Sequence, residues 1–113
     1  MDVANIDKAK RRFEILQTGE RSQTAVMTPS PGDLSGAKAE AHEKGDQVLF
    51  MLEGELSGEV GHEHASLKKG DVIIIPAGVK HRFTNRSGQP AVTFNIYSPP
   101  EYPVGTKSWP ILL

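Results

Sequence analysis

Short apolar stretches, interrupted by glycine and proline, run through most of the chain. Residues 47–53 form an apolar run that ends at Gly54, and residues 55–60 then alternate between polar and apolar positions. Alternation with a period of two is typical of a half-buried strand, and so short an apolar run between glycines favours a strand over a helix. We therefore predict two strands joined by a turn at Gly54.

Further β-prone segments flank this pair. Val72-Ile73-Ile74-Ile75 is a run of β-branched residues, whose restricted side-chain rotation favours an extended chain. A further strand is expected to begin near Ala39. The remaining predicted strands are residues 11–17, 23–28, 81–85 and 91–97, of which the first two are expected to form a hairpin.

Helical periodicity is nearly absent, because residues 5–12 can form one turn at most. Roughly eight strands with frequent turns are typical of an all-β sandwich, a jelly roll or a closed barrel. The fold class predicted from the pattern is therefore all-β.

Composition narrows the choice of partners and compartment. The chain has 113 residues, a formal net charge of −1 and no cysteine. This length suits one domain, and the balanced charge does not favour nucleic acid as a partner. No stretch is apolar enough to span a membrane, and a disulfide-dependent secreted module is excluded, so a soluble cytoplasmic protein is expected.

A spaced motif follows the β-branched strand. Gly70 is followed after five residues by Pro76, and then come Gly78, His81 and Asn85 at fixed intervals. This pattern resembles the second sequence motif of the cupin superfamily at every specified position. The likeness covers the chain from about residue 24 to residue 97 and is that of a small single-domain cupin with a conserved β-barrel.

The first motif of that family is present in altered form. Counting back from Gly54 places Gln47 where the family has a glutamate, and then places His42 and Glu40 where it has two histidines. A competing register pairs His42 with the first histidine and Lys44 with the second, but it leaves too short a gap before Gln47. The Glu40 register is therefore preferred.

The resemblance implies a double-stranded β-helix, also called a jelly-roll or cupin barrel. It implies one cupin domain over residues 1–113, with a barrel core at about 11–97 and a C-terminal arm at 98–113. It also implies a divalent transition metal, Fe, Mn, Ni, Co or Zn, for which nitrogen and oxygen ligands are suitable. The predicted metal ligands are Glu40, His42, Gln47 and His81.

Each of these residues also has an ordinary structural interpretation. His81 and Asn85 can serve the turn through hydrogen bonds, Gln47 can satisfy buried backbone, and Glu40 can be a solvated strand residue. Met51 and Phe83 share strand faces with Gln47 and His81 respectively and are predicted either to contact a substrate or to belong to the core.

His62 and His64 form a second histidine pair, which by itself would suggest another metal site. They follow Gly61 on a predicted hairpin between acidic residues. An exposed rim is therefore the preferred interpretation.

Three functions remain open, because one barrel type supports many activities. The first is a metal-dependent enzyme, isomerase or dioxygenase-like, that acts on a small oxygenated molecule. The second is a small-ligand-binding or sensing module without turnover, and the third is a structural partner-binding dimer. No acid or base outside the predicted ligands is identified, and the apolar tail with Trp109 and residues 111–113 is expected to cover a barrel end or contact a second subunit of a homodimer.

Overall fold

Eight strands form two antiparallel sheets in the computed structural model, which describes residues 1–35 and 41–103. A short 3₁₀ helix at Ile6–Lys8 precedes them, in agreement with the single turn expected there. No helix in the described ranges is long and apolar enough to cross a membrane. The strands are β1 Phe13–Thr18, β2 Gln23–Met27, β3 Asp46–Glu53, β4 Glu55–Val60, β5 Glu63–Lys68, β6 Val72–Ile75, β7 His81–Thr84 and β8 Val92–Ser98.

The strand order confirms the predicted jelly roll. A five-stranded sheet runs β1-β2-β8-β3-β6, and a three-stranded sheet runs β5-β4-β7. Neighbouring strands in each sheet are antiparallel, including the predicted hairpin of β1 with β2. The strand expected to begin near Ala39 is not found in its described part, because residues 41–45 form no strand and β3 begins only at Asp46; residues 36–40 lie outside the described residues.

The core lies between the two sheets and follows the alternation of the strands. On β3, Leu49 and Met51 have no exposed surface, whereas Val48 and Leu52 are only half-buried. Burying an aliphatic side chain of this size contributes about 1.5–3 kcal/mol relative to leaving it in water. Because this inward face also carries Gln47, the packing that fixes β3 also fixes the position of Gln47.

The turn at Gly54 is confirmed and requires glycine for two reasons. Gly54 has a φ of 77°, which disfavours a side chain. A Cβ at this position would lie 2.8 Å from the carbonyl oxygen of Pro90 and 2.9 Å from Cα of Ala91. The turn thus brings the β3–β4 connection directly against the segment that leads into β8.

The outward face of the five-stranded sheet is apolar at its β3–β6 edge. Phe50, Val72 and Ile74 are 39%, 57% and 65% exposed, respectively. They form rows across the sheet, because Phe50 pairs with Val72 and Val48 pairs with Ile74. The described part of the chain leaves this face open to solvent.

Candidate functional site

His42, Gln47 and His81, three of the four predicted ligands, come together between the sheets. Nε2 of His42 lies 3.0 Å from Oε1 of Gln47. The rings of His42 and His81 are 4.8 Å apart at their centroids and tilted by 39°. The fourth predicted ligand, Glu40, lies in residues 36–40, outside the described residues.

The turn of the second motif holds this group in place. The backbone N–H of Gly78 donates to the carbonyl oxygen of His42 at 2.7 Å. Gly78 has a φ of 79°, a conformation that glycine adopts without strain. The same turn leads directly into β7, whose first residue is His81. One glycine turn therefore fixes the backbone of His42 and the start of the strand that carries His81.

A chain of buried hydrogen bonds sets the orientation of the Gln47 amide. Nε2 of Gln47 donates to Oδ1 of Asn95 at 2.9 Å, and Nδ2 of Asn95 donates to Oγ1 of Thr93 at 2.9 Å. The Thr93 hydroxyl in turn donates to the carbonyl oxygen of Met27 at 3.2 Å. Because a carbonyl oxygen can only accept, every bond in the chain has one direction. The oxygen of Gln47, not its nitrogen, therefore faces His42.

His81 has its proton placed by a backbone carbonyl. Nδ1 of His81 lies 3.1 Å from the carbonyl oxygen of Val79. Since that oxygen can only accept, a neutral His81 carries its hydrogen on Nδ1 and its lone pair on Nε2. A lone pair on Nε2 is what a metal ligand requires.

Each ring nitrogen of His42 faces a side-chain oxygen. Its Nε2 faces the Gln47 oxygen, and its Nδ1 lies 3.5 Å from Oε2 of Glu101. A neutral imidazole has one N–H, so it can donate to only one of them. A cation bound between Nε2 and the Gln47 oxygen would satisfy both, with the proton kept on Nδ1. The described donors thus fit a transition metal, although no three His, Cys, Asp or Glu side chains meet in a ligand group within residues 1–35 and 41–103.

Two tyrosines lie next to His42, although they were not predicted as site residues. The ring centroids of Tyr97 and Tyr102 lie 5.4 Å and 6.1 Å from that of His42, and 5.1 Å from each other. Burial raises the pKa of Tyr97 well above its usual value. Burial also raises the pKa of Tyr102 to about 12, against an opposing hydrogen bond from Tyr97. Both phenols stay protonated near neutral pH. Tyr97 donates its one O–H to Tyr102, so the O–H of Tyr102 is the one that can donate to another group.

Neither tyrosine had a usable signal in the sequence: on β8 the apolar residues Val92, Phe94 and Ile96 alternate with Tyr97, so the pattern alone would place the opposite face inside. Tyr97 lies two residues after Asn95 on β8 and pairs directly with Gln47 on β3, so it shares their inward face. Tyr102 follows β8 in the proline-rich arm, where no periodicity indicates a direction. The sequence identified no acid or base outside the predicted ligands; the structure places these two phenols and Glu101 next to His42.

Residues 99–103, which we call the C-terminal strap, are held against the barrel by one buried glutamine. Oε1 of Gln23 accepts from the backbone N–H groups of Glu101 and Tyr102 at 3.1 and 3.0 Å. Nε2 of Gln23 donates to the carbonyl oxygen of Tyr102 at 2.9 Å. Gln23 is only 1% exposed, so the strap is anchored from inside the protein.

The predicted substrate contacts and the other candidate residues occupy different environments. Met51 and Phe83 both belong to the hydrophobic core: Met51 has no exposed surface, and Phe83 is 3% exposed with its ring 5.9 Å from that of His81. His62 and His64 are exposed, as predicted. Lys44, which takes the place of the second histidine in the competing register, is also exposed.

Comparison with known proteins places the chain in a family. The family model "Cupin domain" matches residues 25–97. The Bacillus subtilis protein YrkC is 29% identical over 92% of this chain and 60% of its own length. Acireductone dioxygenase from Tuber melanosporum is 31% identical over 74% of this chain and 51% of its own length. The chain thus spans roughly half to three-fifths of the length of these relatives.

A solved structure has a closely similar fold. The crystal structure of BH2720 from Bacillus halodurans has a TM-score of 0.84 and 28% sequence identity, and the match covers 91% of this chain and 81% of that one. Fold and sequence motif therefore agree over the part of the chain that carries His42, Gln47 and His81. The chain belongs to the cupin family, as the spacing between Gly70 and Asn85 indicated.

Proposed function

We propose that this cupin binds a divalent transition metal through His42, Gln47 and His81, with Glu40 as the fourth ligand, and uses it to hold or transform a small oxygenated molecule. The observation that carries the proposal is the 3.0 Å approach of His42 Nε2 to Gln47 Oε1 beside the His81 ring. Two donor atoms at that separation can share one metal ion at ordinary bond lengths of about 2.0–2.2 Å.

The direction of the hydrogen bonds supports a metal more than a purely structural role. The bond from Gln47 to Asn95 keeps an oxygen aimed at His42, and the bond of His81 to Val79 places a lone pair on Nε2. A structural glutamine needs partners, but they need not include the nitrogen of an imidazole. When bound, the metal would supply Lewis acidity for a carboxylate, enol or carbonyl oxygen.

The protein's own groups would act on the ligand by hydrogen bonding. The phenols of Tyr97 and Tyr102 border His42 and remain protonated; Tyr97 donates to Tyr102, and Tyr102 can donate to an oxygen of a bound molecule. The acireductone dioxygenase relative supports an oxygenated small molecule as the ligand class. Catalysis of an isomerase or dioxygenase type is the first candidate function.

A binding or sensing module without turnover is the second candidate, and the chemistry of Gln47 favours it. The family motif has a carboxylate at this position, whereas an amide neither ionises nor exchanges a proton with a ligand. The two nearby phenols are held in their protonated form. Such groups can hold a ligand by hydrogen bonds, but they do not abstract its proton.

Metal content tests the shared part of both candidates. The protein is purified without a nickel column, and its transition metals are measured in the wild type, His81→Ala and His64→Ala. We expect near-stoichiometric metal in the wild type and in His64→Ala, an exposed histidine outside the site, and a marked loss in His81→Ala. Less than about a tenth of an equivalent in the wild type would contradict the proposal.

Turnover distinguishes the two candidates. A panel of small carboxylates, enols and sugars is offered to the metal-loaded wild type and to the same two variants. Conversion that is lost in His81→Ala and kept in His64→Ala supports the enzyme. Saturable binding of a panel member with no conversion supports the binding module.

We also propose that the protein is a homodimer that pairs through the exposed apolar face of β3 and β6. The support is the exposure of Phe50, Val72 and Ile74 in adjacent rows without an intervening charge. A cytoplasmic location belongs to the same set of proposals, because a chain without cysteine needs no oxidising compartment.

A further inference from the structure

We propose that Glu101 is a positioning residue for His42: its carboxylate holds the imidazole proton on Nδ1 and thereby leaves Nε2 as the metal-ligating nitrogen beside the Gln47 oxygen. The inference rests on the metal site proposed above. Neither motif of the family reaches Glu101, which lies in the C-terminal strap.

The first support is the number of protons available. An oxygen lies near each nitrogen of His42: Gln47 Oε1 is at the hydrogen-bond distance of 3.0 Å, and Glu101 Oε2 is at the longer ion-pair distance of 3.5 Å. The two acceptors compete for the one N–H of a neutral imidazole. If Gln47 receives it, Nε2 cannot bind a metal; if Glu101 receives it, Nε2 can. Glu101 therefore favours the tautomer that the metal site requires.

The second support is that Glu101 belongs to the C-terminal strap, whose backbone is fixed by hydrogen bonds. Gln23 accepts from the backbone N–H of Glu101 itself, and three hydrogen bonds in all fix the strap at Glu101 and Tyr102. The Tyr102 ring packs edge-on against Phe13, with centroids 5.1 Å apart. A glutamate in a mobile surface segment would sample many positions, whereas the backbone of Glu101 is fixed by its hydrogen bond to the buried Gln23.

The third support is the environment of the pair. The side chains of His42 and Glu101 are 14% and 27% exposed. Partial burial reduces screening by solvent, so the carboxylate influences the imidazole more than an exposed one would. Outer carboxylates that orient a ligating histidine typically change metal affinity by about 10–100-fold when they are removed.

Two substitutions and two measurements test the role. Glu101→Gln keeps the shape but brings an N–H that can donate to Nδ1 and so drive the imidazole proton to Nε2. Glu101→Leu removes the acceptor altogether. Glu53→Gln, which breaks an exposed ion pair with Lys69, is the matched control. Zn²⁺ affinity is measured by competition with a chelating dye, and the His42 tautomer is read from imidazole ¹⁵N shifts of the metal-free protein, assigned with His42→Gln.

We expect both Glu101 variants to bind Zn²⁺ about 10–100-fold more weakly and to move the His42 proton from Nδ1 toward Nε2, while Glu53→Gln changes neither. The His81 signals serve as an internal reference, because Val79 holds the proton of that ring. An unchanged tautomer in both variants overturns the inference, even if affinity falls. If the wild type binds no Zn²⁺, the proposed function fails, and a tautomer shift on loss of Glu101 would still support the positioning role.

Discussion

The side-chain amide of Gln47 donates to Oδ1 of Asn95 over 2.9 Å in the protein interior. Both residues are almost fully buried, and Asn95 is itself directed by Thr93. The position next to Asn95 therefore requires a hydrogen-bond donor. The carboxylate that the family motif has at this position has no N–H to supply, so the amide and the Asn95 network belong together.

Gln47→Glu is expected to destabilise the metal-free protein. An ionised carboxylate would face the Asn95 oxygen without a donor, and turning Asn95 around would cost the bond from Thr93 to Met27. The unfolding free energy should fall by about 1–3 kcal/mol, the usual cost of an unsatisfied buried polar group. Urea unfolding in the presence of a chelator measures it, with the exposed Gln89→Glu as control. Equal midpoints for the two variants would show that Gln47 does not depend on Asn95 as an acceptor.

The two tyrosines of the chain are expected to resist ionisation. Burial raises the pKa of Tyr97 well above 10 and that of Tyr102 to about 12. The near-ultraviolet absorbance of tyrosinate should therefore appear near pH 10 in the denaturant-unfolded protein and only above about pH 11 in the native protein.

The same shifts predict how stability depends on alkaline pH. The folded state keeps the phenol protons that the unfolded state loses first, so the stabilisation is fully present below about pH 10 and is lost as the pH rises through the folded values. Urea midpoints measured between about pH 8 and 11 should decline at the alkaline end. Phenols that titrate near pH 10 in the native protein would place Tyr97 and Tyr102 in solvent and contradict the packed pair.

Gly45→Ala is expected to push the strap away from the start of β3. A Cβ on Gly45 would collide with the carbonyl oxygen of Ser98 and the ring of Pro99, where the strap begins. Overpacking of this kind costs about 1–3 kcal/mol, which urea unfolding can measure. Gly88→Ala is the control, because no atom lies within 4 Å of its Cβ position. A Gly45→Ala protein as stable as Gly88→Ala would mean that this contact is not close in solution.

The strands could be predicted because their signals are local. The β-branched run at 72–75, the alternation at 55–60 and the turn glycine at position 54 each depend on a few neighbouring residues, and all three agree with the observed structure. The spacing from Gly70 to Asn85 is also local, and it identified the family.

The surroundings of the site could not be predicted because they depend on distant pairings. Gln47 and Asn95 are 48 positions apart, and a polar residue within a strand is as compatible with the solvent face as with the interior. Gln23 and Tyr102 are 79 positions apart and meet through backbone atoms, on which the identity of the Tyr102 side chain has no bearing. Only the three-dimensional packing shows that Glu101 reaches His42.

The apolar face of β3 and β6 gives a prediction about assembly. Ile74 is 65% exposed at the edge strand, beside the row formed by Phe50 and Val72. In a two-fold dimer the same patch meets itself, so an apolar sheet face is complementary to its own copy. The rows across β8 continue this surface, because Phe94 pairs with Phe50.

Ile74→Lys is therefore expected to convert a dimer into a monomer, because each interface would bury two uncompensated ammonium groups. Light scattering coupled to gel filtration measures the mass of the wild type, Ile74→Lys and Ser66→Lys at equal concentration. Ser66 is an exposed residue of β5 in the other sheet, so a lysine there should leave the dimer intact. A monomeric wild type, or an Ile74→Lys protein that keeps the dimer mass, would remove this face as the site of pairing.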